Sequence, residues 1–396
     1  MLPTNLPLTP EGFTAALYDL MKQVNPGVDD MELYEFRYAL NNITPERGWA
    51  SIDLDPPEEI ERRINDRAFF TAVTLKTRRE GKIVLDESVL RLTRMLLVGL
   101  VDGTYALDWI KQRVYFDIRG FYFLVRITYL TPVVVAHLGG RPMRAFEKRQ
   151  TVFERSQDVG YKAFREANAE IDQAFIDSVL ALIARKGAPI VVAIAGATAA
   201  GKTEIVDRLR IALEALGQRV TGIEMDNFLT DREYREERGI GTLGGQAIHL
   251  ALFKQSLQDL LAGRSVSTPR YDFINATSSH DLGGRLKPEG VPVPIAPADI
   301  IFIEGNFPFL LDDIAPLIGI KVVYLTDDAV RMKRKWKRDI DYRKKYDHFY
   351  LCNRYFKDQY LMAQTCYLPQ LENCDICVDT TGAELWATPE IEELLA

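Results

Sequence analysis

The second half of the chain alternates short, uninterrupted apolar runs with segments in which apolar residues recur at helical spacing. Apolar runs without polar interruption are typical of strands that are buried on both faces of a sheet. Their alternation with helices predicts an α/β fold, with a parallel sheet covered by helices on both faces, over residues 188–396. The predicted strands are residues 190–195, 220–225, 300–303, 322–325 and 375–378.

The first half has a different pattern, in which helix-like segments precede a run of strand-forming residues. This order predicts an α+β domain with a small sheet. Its predicted helices cover residues 11–24, 58–79 and 87–101, and its predicted strands cover 114–119, 121–129 and 133–135. Aromatic residues such as Phe116 and Tyr122 could stack on RNA bases, but no basic motif lies beside them, so core packing is favoured.

One amphipathic helix is predicted where the two halves meet, from about residue 164 to 185. Its apolar positions at helical spacing are Ile171, Phe175, Val179 and Ile183. Gly187 follows the helix, and glycine is the residue type that most often ends helices. We therefore predict a domain boundary there, with an α+β domain of unknown role over residues 1–187 and a second domain over residues 188–396.

Composition and charge exclude several classes of protein. With 396 residues, 47% of them hydrophobic, the chain can bury more than one core. Its net charge of -7 argues against a general nucleic-acid binder. Residues 1–10 lack the pattern of an export signal, and about eighteen consecutive apolar residues occur nowhere, so we expect a cytoplasmic protein without a membrane partner. The four cysteines are too few and too clustered for a disulfide framework.

A phosphate-binding motif follows the first predicted strand of the second half. Residues 196–203 read G-A-T-A-A-G-K-T, a complete G-x-x-x-x-G-K-T loop. In such a loop the backbone N–H groups surround the phosphates of a nucleoside triphosphate, the lysine reaches the β and γ phosphates, and the threonine binds Mg²⁺. A helix from residue 202 to about 216 would point its positive end at the same phosphates. The predicted nucleotide-binding residues are Gly196, Ala197, Ala199, Ala200, Gly201, Lys202, Thr203 and Glu204. The alternative is a Gly-rich turn that binds nothing.

Two carboxylates end the next two predicted strands, Asp226 after the second and Glu304 after the third. Because the carboxyl ends of parallel strands meet at one edge of a sheet, both should lie beside the loop. Asp226 is the candidate base that accepts the proton of an attacking hydroxyl. Glu304 is predicted to bind Mg²⁺ together with Thr203 and Asp226, because hard oxygen ligands suit this ion. The alternatives are a turn-capping Asp226 and a solvated Glu304.

Positive charge is concentrated in residues 331–338, which read R-M-K-R-K-W-K-R. The cations that share one helical face are Arg331, Arg334, Lys335 and Arg338. One cationic face suits a lid over transferring phosphate, whereas the alternative is a solvated charge run. The candidate catalytic residues are therefore Lys202, Asp226, Arg334 and Arg338.

Together these motifs resemble the uridine kinase and phosphoribulokinase family of P-loop kinases over about residues 190–379. Asp226-Asn227-Phe228 is similar to the family's Asp-x-Phe motif, and Glu304-Gly305 to its Glu-Gly metal motif. Residues 268–273, T-P-R-Y-D-F, resemble the segment that lines the acceptor pocket in uridine kinases. The resemblance implies ATP and Mg²⁺, and a phosphoryl acceptor that contacts Tyr271, Phe273, Asn306 and Arg343.

The resemblance leaves the acceptor open. Uridine kinases carry a histidine where Ala276 stands, and His280 could replace it only in a rearranged loop. An aspartate for a ribose diol is also missing, since residues 241–245 read G-T-L-G-G. Arg238-Gly239 and residues 304–307 resemble the pantothenate- and glycerate-kinase branches instead. We therefore predict transfer of the γ-phosphoryl of Mg-ATP to a hydroxyl of a small metabolite: a nucleoside such as uridine or cytidine, or a related polyol, sugar or pantothenate-like acceptor.

Other functions stay open as alternatives. Because residues 1–187 have no assigned role, the chain could be a nucleotide-gated regulatory or scaffold protein with slow hydrolysis, or that half could be a second enzyme. Cys374 and Cys377 have zinc-ligand spacing, but positions i and i+3 of a strand point to opposite faces, which disfavours a zinc site. The four histidines are isolated and are expected to be surface or core residues. We expect no nucleic-acid partner and leave a homo-oligomer open.

Overall fold

The computed structural model describes residues 7, 9–77, 83–118, 120–149, 161–241, 244–344 and 346–396. Its strands, numbered along the chain, are β1 (Lys76–Thr77), β2 (Ile83–Val84), β3 (Val114–Asp117), β4 (Tyr122–Val125), β5 (Arg144–Ala145), β6 (Ile190–Ala195), β7 (Val220–Glu224), β8 (Val266–Thr268), β9 (Tyr271–Asp272), β10 (Thr277–Ser278), β11 (Val293–Ile295), β12 (Ile300–Gly305), β13 (Ile320–Leu325), β14 (Ile376–Asp379) and β15 (Glu384–Ala387).

The described helices are α1 (Pro10–Val24), α2 (Leu33–Leu40), α3 (Pro57–Ile64), α4 (Arg67–Ala72), α5 (Glu87–Asp102), α6 (Leu107–Arg113), α7 (Pro132–His137), α8 (Tyr161–Ala167), α9 (Ala169–Lys186), α10 (Lys202–Ala215), α11 (Arg232–Glu237), α12 (Leu250–Leu261), α13 (Asp328–Asp341), α14 (His348–Asn353), α15 (Gln359–Met362), α16 (Leu368–Leu371) and α17 (Pro389–Leu395). Two π-helical turns, Arg354–Asp358 and Ala363–Tyr367, join α14 to α16 in one helical stretch. Across the described ranges, none of these helices is long and apolar enough to cross a bilayer.

A seven-stranded sheet forms the centre of the second half, in the order β5-β15-β14-β13-β6-β12-β7. The five strands from β14 to β7 are parallel, and β15 and β5 extend the sheet antiparallel at one edge. Alternate residues of β6 face two different cores, so that Val191 packs with α12 on one face and Val192 packs with α9 and α10 on the other. The predicted P-loop-type parallel sheet with helices on both faces is confirmed.

The first half is mainly helical; its strands form the two-stranded ribbons β1-β2 and β3-β4, and its β5 joins the edge of the seven-stranded sheet. The predicted helix over residues 58–79 is wrong as one element, because α3 ends before Asn65 and Asp66 caps the start of α4 by accepting from the Ala68 N–H at 2.8 Å. Residues 78 and 79 lie outside the described residues. The predicted strand over 121–129 is limited to β4, and Arg119 of its predicted partner is not described.

The predicted strand over residues 133–135 is wrong, since these valines lie in helix α7. Thr131 starts this helix by accepting a hydrogen bond from the Val134 N–H at 3.3 Å, and Pro132 occupies its first position. Proline there is pre-organised for a helix, and this local signal outweighs the β propensity of three valines. The helix predicted over residues 164–185 is divided at Asn168 into α8 and α9.

The domain boundary at Gly187 stays a prediction. Hydrophobic side chains from each half pack into the core of the other half. Helix α9, before Gly187, contributes Phe175 and Leu182 to the core on one face of the seven-stranded sheet. Conversely, Phe356 and Tyr360 of the second half belong to the core of the first half. The rings of Tyr360 and Phe70 stack with their centroids 4.0 Å apart.

Candidate active site

The phosphate-binding loop leaves β6 at the carboxyl edge of the sheet and leads directly into α10. A Cβ atom on Gly196 would stand 2.4 Å from the carbonyl oxygen of Tyr324, so only glycine fits against β13. Gly201 has a φ of +109°, a conformation that L side chains rarely adopt. Both glycines of the motif are therefore required by the local backbone.

Lys202, the first residue of α10, folds its side chain back over this loop. Its ammonium donates to the carbonyl oxygens of Gly196 at 2.8 Å and Ala197 at 3.0 Å. Burial lowers the pKa of Lys202 to about 8, although the charges of Glu304 and Asp226 oppose this shift. The ammonium is thus placed over the loop, where a phosphate could replace its carbonyl partners.

Thr203 and Glu304 meet beside the loop because β12 and β6 are parallel neighbours. The Thr203 hydroxyl donates to Glu304 Oε1 at 2.9 Å. Glu304 Oε2 is buried and has no hydrogen-bond partner among the described residues. Burial raises the pKa of Glu304, against the opposing charge of Lys202. An acid with one unpartnered buried oxygen beside a hydroxyl is a suitable pair of ligands for Mg²⁺.

A cavity of about 290 Å³ brings most of the predicted site residues together. Those that line it are Ala199, Gly201, Lys202, Thr203, Glu204, Asp226, Phe273, Glu304, Asn306, Arg334, Arg338 and Arg343. The other three predicted nucleotide-binding residues, Gly196, Ala197 and Ala200, are in the loop but do not line the cavity. The side chains of the two alanines are buried. The wall also includes Glu224, which sequence analysis missed although it ends β7 two residues before Asp226. Burial and the neighbouring Asp226 raise the pKa of Glu224.

Helix α13 carries the cations of residues 331–338 and lies against the loop. Arg338 donates to the Thr198 hydroxyl at 2.9 Å, and burial lowers the pKa of its guanidinium. The guanidinium of Arg334 lies 4.1 Å from the centre of the Phe164 ring. Arg331 is 3% exposed and donates to the Thr198 carbonyl oxygen at 3.0 Å. Arg331 therefore joins helix and loop, whereas Arg334 and Arg338 line the cavity.

A second cavity of about 470 Å³ adjoins the first. The residues that line both are Thr198, Asp226, Phe273, Asn306 and Arg343. Tyr271 lines only the second cavity, and its backbone N–H donates to the side chain of Asn227 at 3.2 Å. Arg343 lies over the Phe273 ring at 4.5 Å. The four predicted acceptor-binding residues therefore surround the space beyond Asp226.

A sequence model of the phosphoribulokinase/uridine kinase family matches residues 191–385. The uridine kinase of Brevibacillus brevis is 32% identical over 160 residues, which cover 40% of this chain and 69% of that enzyme. The uridine kinase of Macrococcus caseolyticus is 30% identical over 156 residues, which cover 39% of this chain and 70% of the relative. The chain belongs to the phosphoribulokinase/uridine kinase family. Among solved structures, the phosphoribulokinase of Rhodobacter spheroides aligns with a TM-score of 0.35 and 18% identity, over 49% of this chain and 70% of that one.

Membership of the phosphoribulokinase/uridine kinase family confirms the predicted class of enzyme, a small-molecule kinase with a P-loop that binds ATP. All the matched residues lie in the second half of the chain. The roles of the individual residues remain predictions that the geometry supports.

Ala276 stands at the position where uridine kinases carry a histidine. Ala276 is buried and has a φ of +59°. His280 lines neither cavity; its Nδ1 pairs with the Ser279 hydroxyl at 2.9 Å. Residues 242 and 243 of the stretch that lacks the diol-binding aspartate lie outside the described residues.

The cysteine pair with zinc-ligand spacing lies in the core of the sheet. Cys374 donates its thiol hydrogen to the Leu371 carbonyl oxygen at 3.4 Å, and Cys377 is fully buried in β14. In the part of the chain that the structure describes, no group of three or more His, Cys, Asp or Glu side chains is placed to hold a metal ion. The candidate Mg²⁺ ligands Thr203 and Glu304 would therefore depend on phosphate and water oxygens to complete the coordination shell.

Proposed function

We propose that the protein transfers the γ-phosphoryl group of Mg-ATP to a hydroxyl of a small metabolite in the cytoplasm. The observation that carries this proposal is the junction of the two cavities at Asp226. One cavity is lined by the phosphate-binding loop, the other is lined by the predicted acceptor-binding residues, and Asp226 lines both. A donor and an acceptor could thus meet at Asp226.

On the donor side, the loop, Lys202 and the lid helix α13 would hold the triphosphate. The ammonium of Lys202 would leave its two carbonyl partners for the phosphate oxygens, as the lysine of this motif does. Arg334 and Arg338 would approach the migrating phosphoryl group from α13 and offset the charge spread over its oxygens. Mg²⁺ held by Thr203 and Glu304, with Asp226 in the same cavity, would supply further charge neutralisation when bound.

On the acceptor side, Asp226 would accept the proton of the acceptor hydroxyl as that oxygen bonds to the γ-phosphorus. The bond between the γ-phosphorus and the bridging oxygen breaks, and ADP leaves with the bond electrons. Tyr271, Phe273 and Asn306 would orient the acceptor. Arg343 lines both cavities and would contact the acceptor where they meet. Holding both reactants in line supplies much of the rate enhancement in such reactions.

Replacement of Asp226 by asparagine tests this assignment directly. Asp226→Asn keeps the shape of the side chain but removes the proton acceptor, so acceptor-dependent ADP release should fall by about a hundredfold or more. Binding of Mg-ADP, measured by calorimetry, should be retained. Asp207→Asn, on the exposed side of α10, is the matched control and should leave turnover unchanged. Wild-type turnover in the Asp226 variant would remove this residue from its role.

A nucleotide-gated regulator is the second candidate function, favoured by the packing of Phe356 and Tyr360 into the core of the first half. Binding at the loop could reach that half through these side chains. ADP release should be measured with nucleosides, pantothenate, glycerate and sugar phosphates as acceptors. Stimulation by any of them supports the kinase, whereas nucleotide binding without stimulation by any supports the regulator.

A further inference from the structure

A buried guanidinium without a carboxylate partner lies in the wall of the second cavity. Arg235 is 3% exposed, yet its hydrogen bonds go to two neutral groups, the Thr230 carbonyl oxygen at 2.9 Å and the Tyr271 hydroxyl at 3.1 Å. No ion pair joins Arg235 to an acid among the described residues. A buried, uncompensated charge is costly, so such groups are normally paired with an opposite charge.

Contacts with residues that are distant in sequence hold the helix that carries Arg235 in place. Asp231, which precedes α11, accepts from Lys287 at 2.8 Å and from the Ser278 N–H at 2.6 Å. The Arg232 N–H donates to the Ala276 carbonyl oxygen at 2.9 Å. These contacts fasten α11 to the β9-β10 ribbon, which also supplies Tyr271. The guanidinium of Arg235 is therefore held in a defined place before any ligand arrives.

The other charges of the cavity leave an excess of positive charge at the same wall. Arg232 also lines the cavity, one helical turn before Arg235, and makes no ion pair with a described residue. By contrast, Lys335 pairs with Asp339, and Arg354 pairs with Asp358 at 3.1 Å. Arg343 pairs with Asp339 at 3.6 Å. Of the remaining acids that line the cavity, Glu236 is exposed and Asp226 lies where the two cavities meet.

We propose that the acceptor is an anion whose carboxylate or phosphate group binds Arg235 and Arg232 while its hydroxyl lies at Asp226. This inference rests on the proposed function, because it specifies the substrate of that kinase. The Tyr271 hydroxyl accepts from Arg235, which leaves its own hydrogen free to be donated to the same anionic group. Planar guanidinium groups suit both carboxylates and phosphates. Neutral nucleosides would leave Arg235 unpaired.

Matched acceptors with and without the charge test the proposal on the full chain. ADP release should be measured with glycerate against glyceramide, pantothenate against its carboxamide, and ribose 5-phosphate against ribose. We expect the charged member of at least one pair to have a kcat/KM about a hundredfold higher than its neutral partner. In Arg235→Gln this preference should fall to within a few-fold, while acceptor-independent ATP hydrolysis stays at the wild-type level.

Arg238→Gln is the matched control, because Arg238 follows the same helix, is exposed and lines neither cavity. Its charge preference should equal that of the wild type. If Arg235 only supported the fold, Arg235→Gln would lower turnover of charged and neutral acceptors equally. That result, or a preferred acceptor that is neutral, would overturn the anionic acceptor and leave the kinase assignment intact.

A binding measurement covers the case in which no acceptor of the panel is phosphorylated. Inorganic phosphate should be titrated by calorimetry into protein saturated with Mg-ADP, so that the phosphate loop is occupied. We expect binding in the wild type and in Arg238→Gln, and at least tenfold weaker binding in Arg232→Gln/Arg235→Gln. Equal binding by all three proteins contradicts the anion site. A failure of Mg-ADP to bind contradicts the proposed function instead.

Discussion

At the scale of single residues, Lys202 determines how the affinity for nucleotide should depend on pH. Its ammonium is enclosed by two carbonyl oxygens, and burial lowers its pKa to about 8. Phosphate binds the protonated form, so a bound nucleotide raises this pKa. The affinity for nucleotide is therefore highest below pH 8, and it falls as the pH rises through the pKa of Lys202 in the nucleotide-free protein.

We expect the dissociation constant of Mg-ADP to increase by up to about tenfold per pH unit above pH 8. Binding in that range should take up a proton, which calorimetry in buffers of different ionisation enthalpy detects. Lys202→Arg is the control, because its guanidinium stays protonated and should flatten the pH dependence. An affinity that is constant to pH 9.5 in the wild type would contradict the lowered pKa.

At the scale of elements, helix α13 divides its cations between two tasks. Arg331 is buried and binds the carbonyl oxygen of Thr198, the Gln359 side chain and Asp328, so it holds the helix against the loop. Arg338 reaches the Thr198 hydroxyl from the cavity wall. The two arginines should therefore affect different measured quantities when they are replaced.

Arg338→Gln should lower kcat by about a hundredfold, because a charge that offsets the migrating phosphoryl group is lost. Its unfolding midpoint should stay close to that of the wild type. Arg331→Gln should lower the free energy of unfolding by about 2 kcal/mol, since the half-buried Asp328 carboxylate loses its ion pair and the Thr326 and Thr198 carbonyl oxygens lose a donor. Lys337→Gln, on the exposed face of α13, should change neither. Equal effects of Arg331→Gln and Arg338→Gln on stability would contradict this division.

How much of the site the sequence predicts depends on how local each signal is. The loop and α10 were predictable because the motif is contiguous, and Asp226 and Glu304 because each directly follows an apolar strand. Arg232 and Arg235 were missed, since D-R-E-Y-R-E-E-R reads as a solvated segment. Only the long-range contact of α11 with the β9-β10 ribbon buries Arg235. Likewise, the packing of Phe356 on Phe70 joins residues that no sequence period connects.

At the scale of the whole molecule, the two halves share one core, to which α13 contributes. The second half contributes Met332 from α13, together with Leu351, Tyr355, Phe356 and Tyr360, to the apolar cluster of the first half. Arg126 of the first half also pairs with Asp327, which caps the start of α13, at 3.2 Å. The first half therefore helps to position α13.

A fragment of residues 188–396 should accordingly be less stable and less active than an independently folding domain would be. Removal of the first half exposes these apolar side chains, and deletion of α9 uncovers part of one face of the sheet. We expect a lower unfolding midpoint, aggregation, and loss of phosphoryl transfer, measured by thermal denaturation, light scattering and ADP release. The full chain is the control. A fragment with wild-type stability and turnover would instead support the boundary at Gly187 as a true domain limit.

The shared core also bears on how fast the enzyme can work. A short helix between flexible segments can move independently of the rest of a protein. Helix α13, by contrast, is followed by residues Phe356 and Tyr360, whose rings pack against Phe70 of the first half. If α13 moves when ADP leaves, these contacts between the two halves must rearrange with it. Solvent viscosity slows motions of this size. We therefore expect added glycerol or sucrose to lower the steady-state rate of ADP release more than the rate of a single turnover.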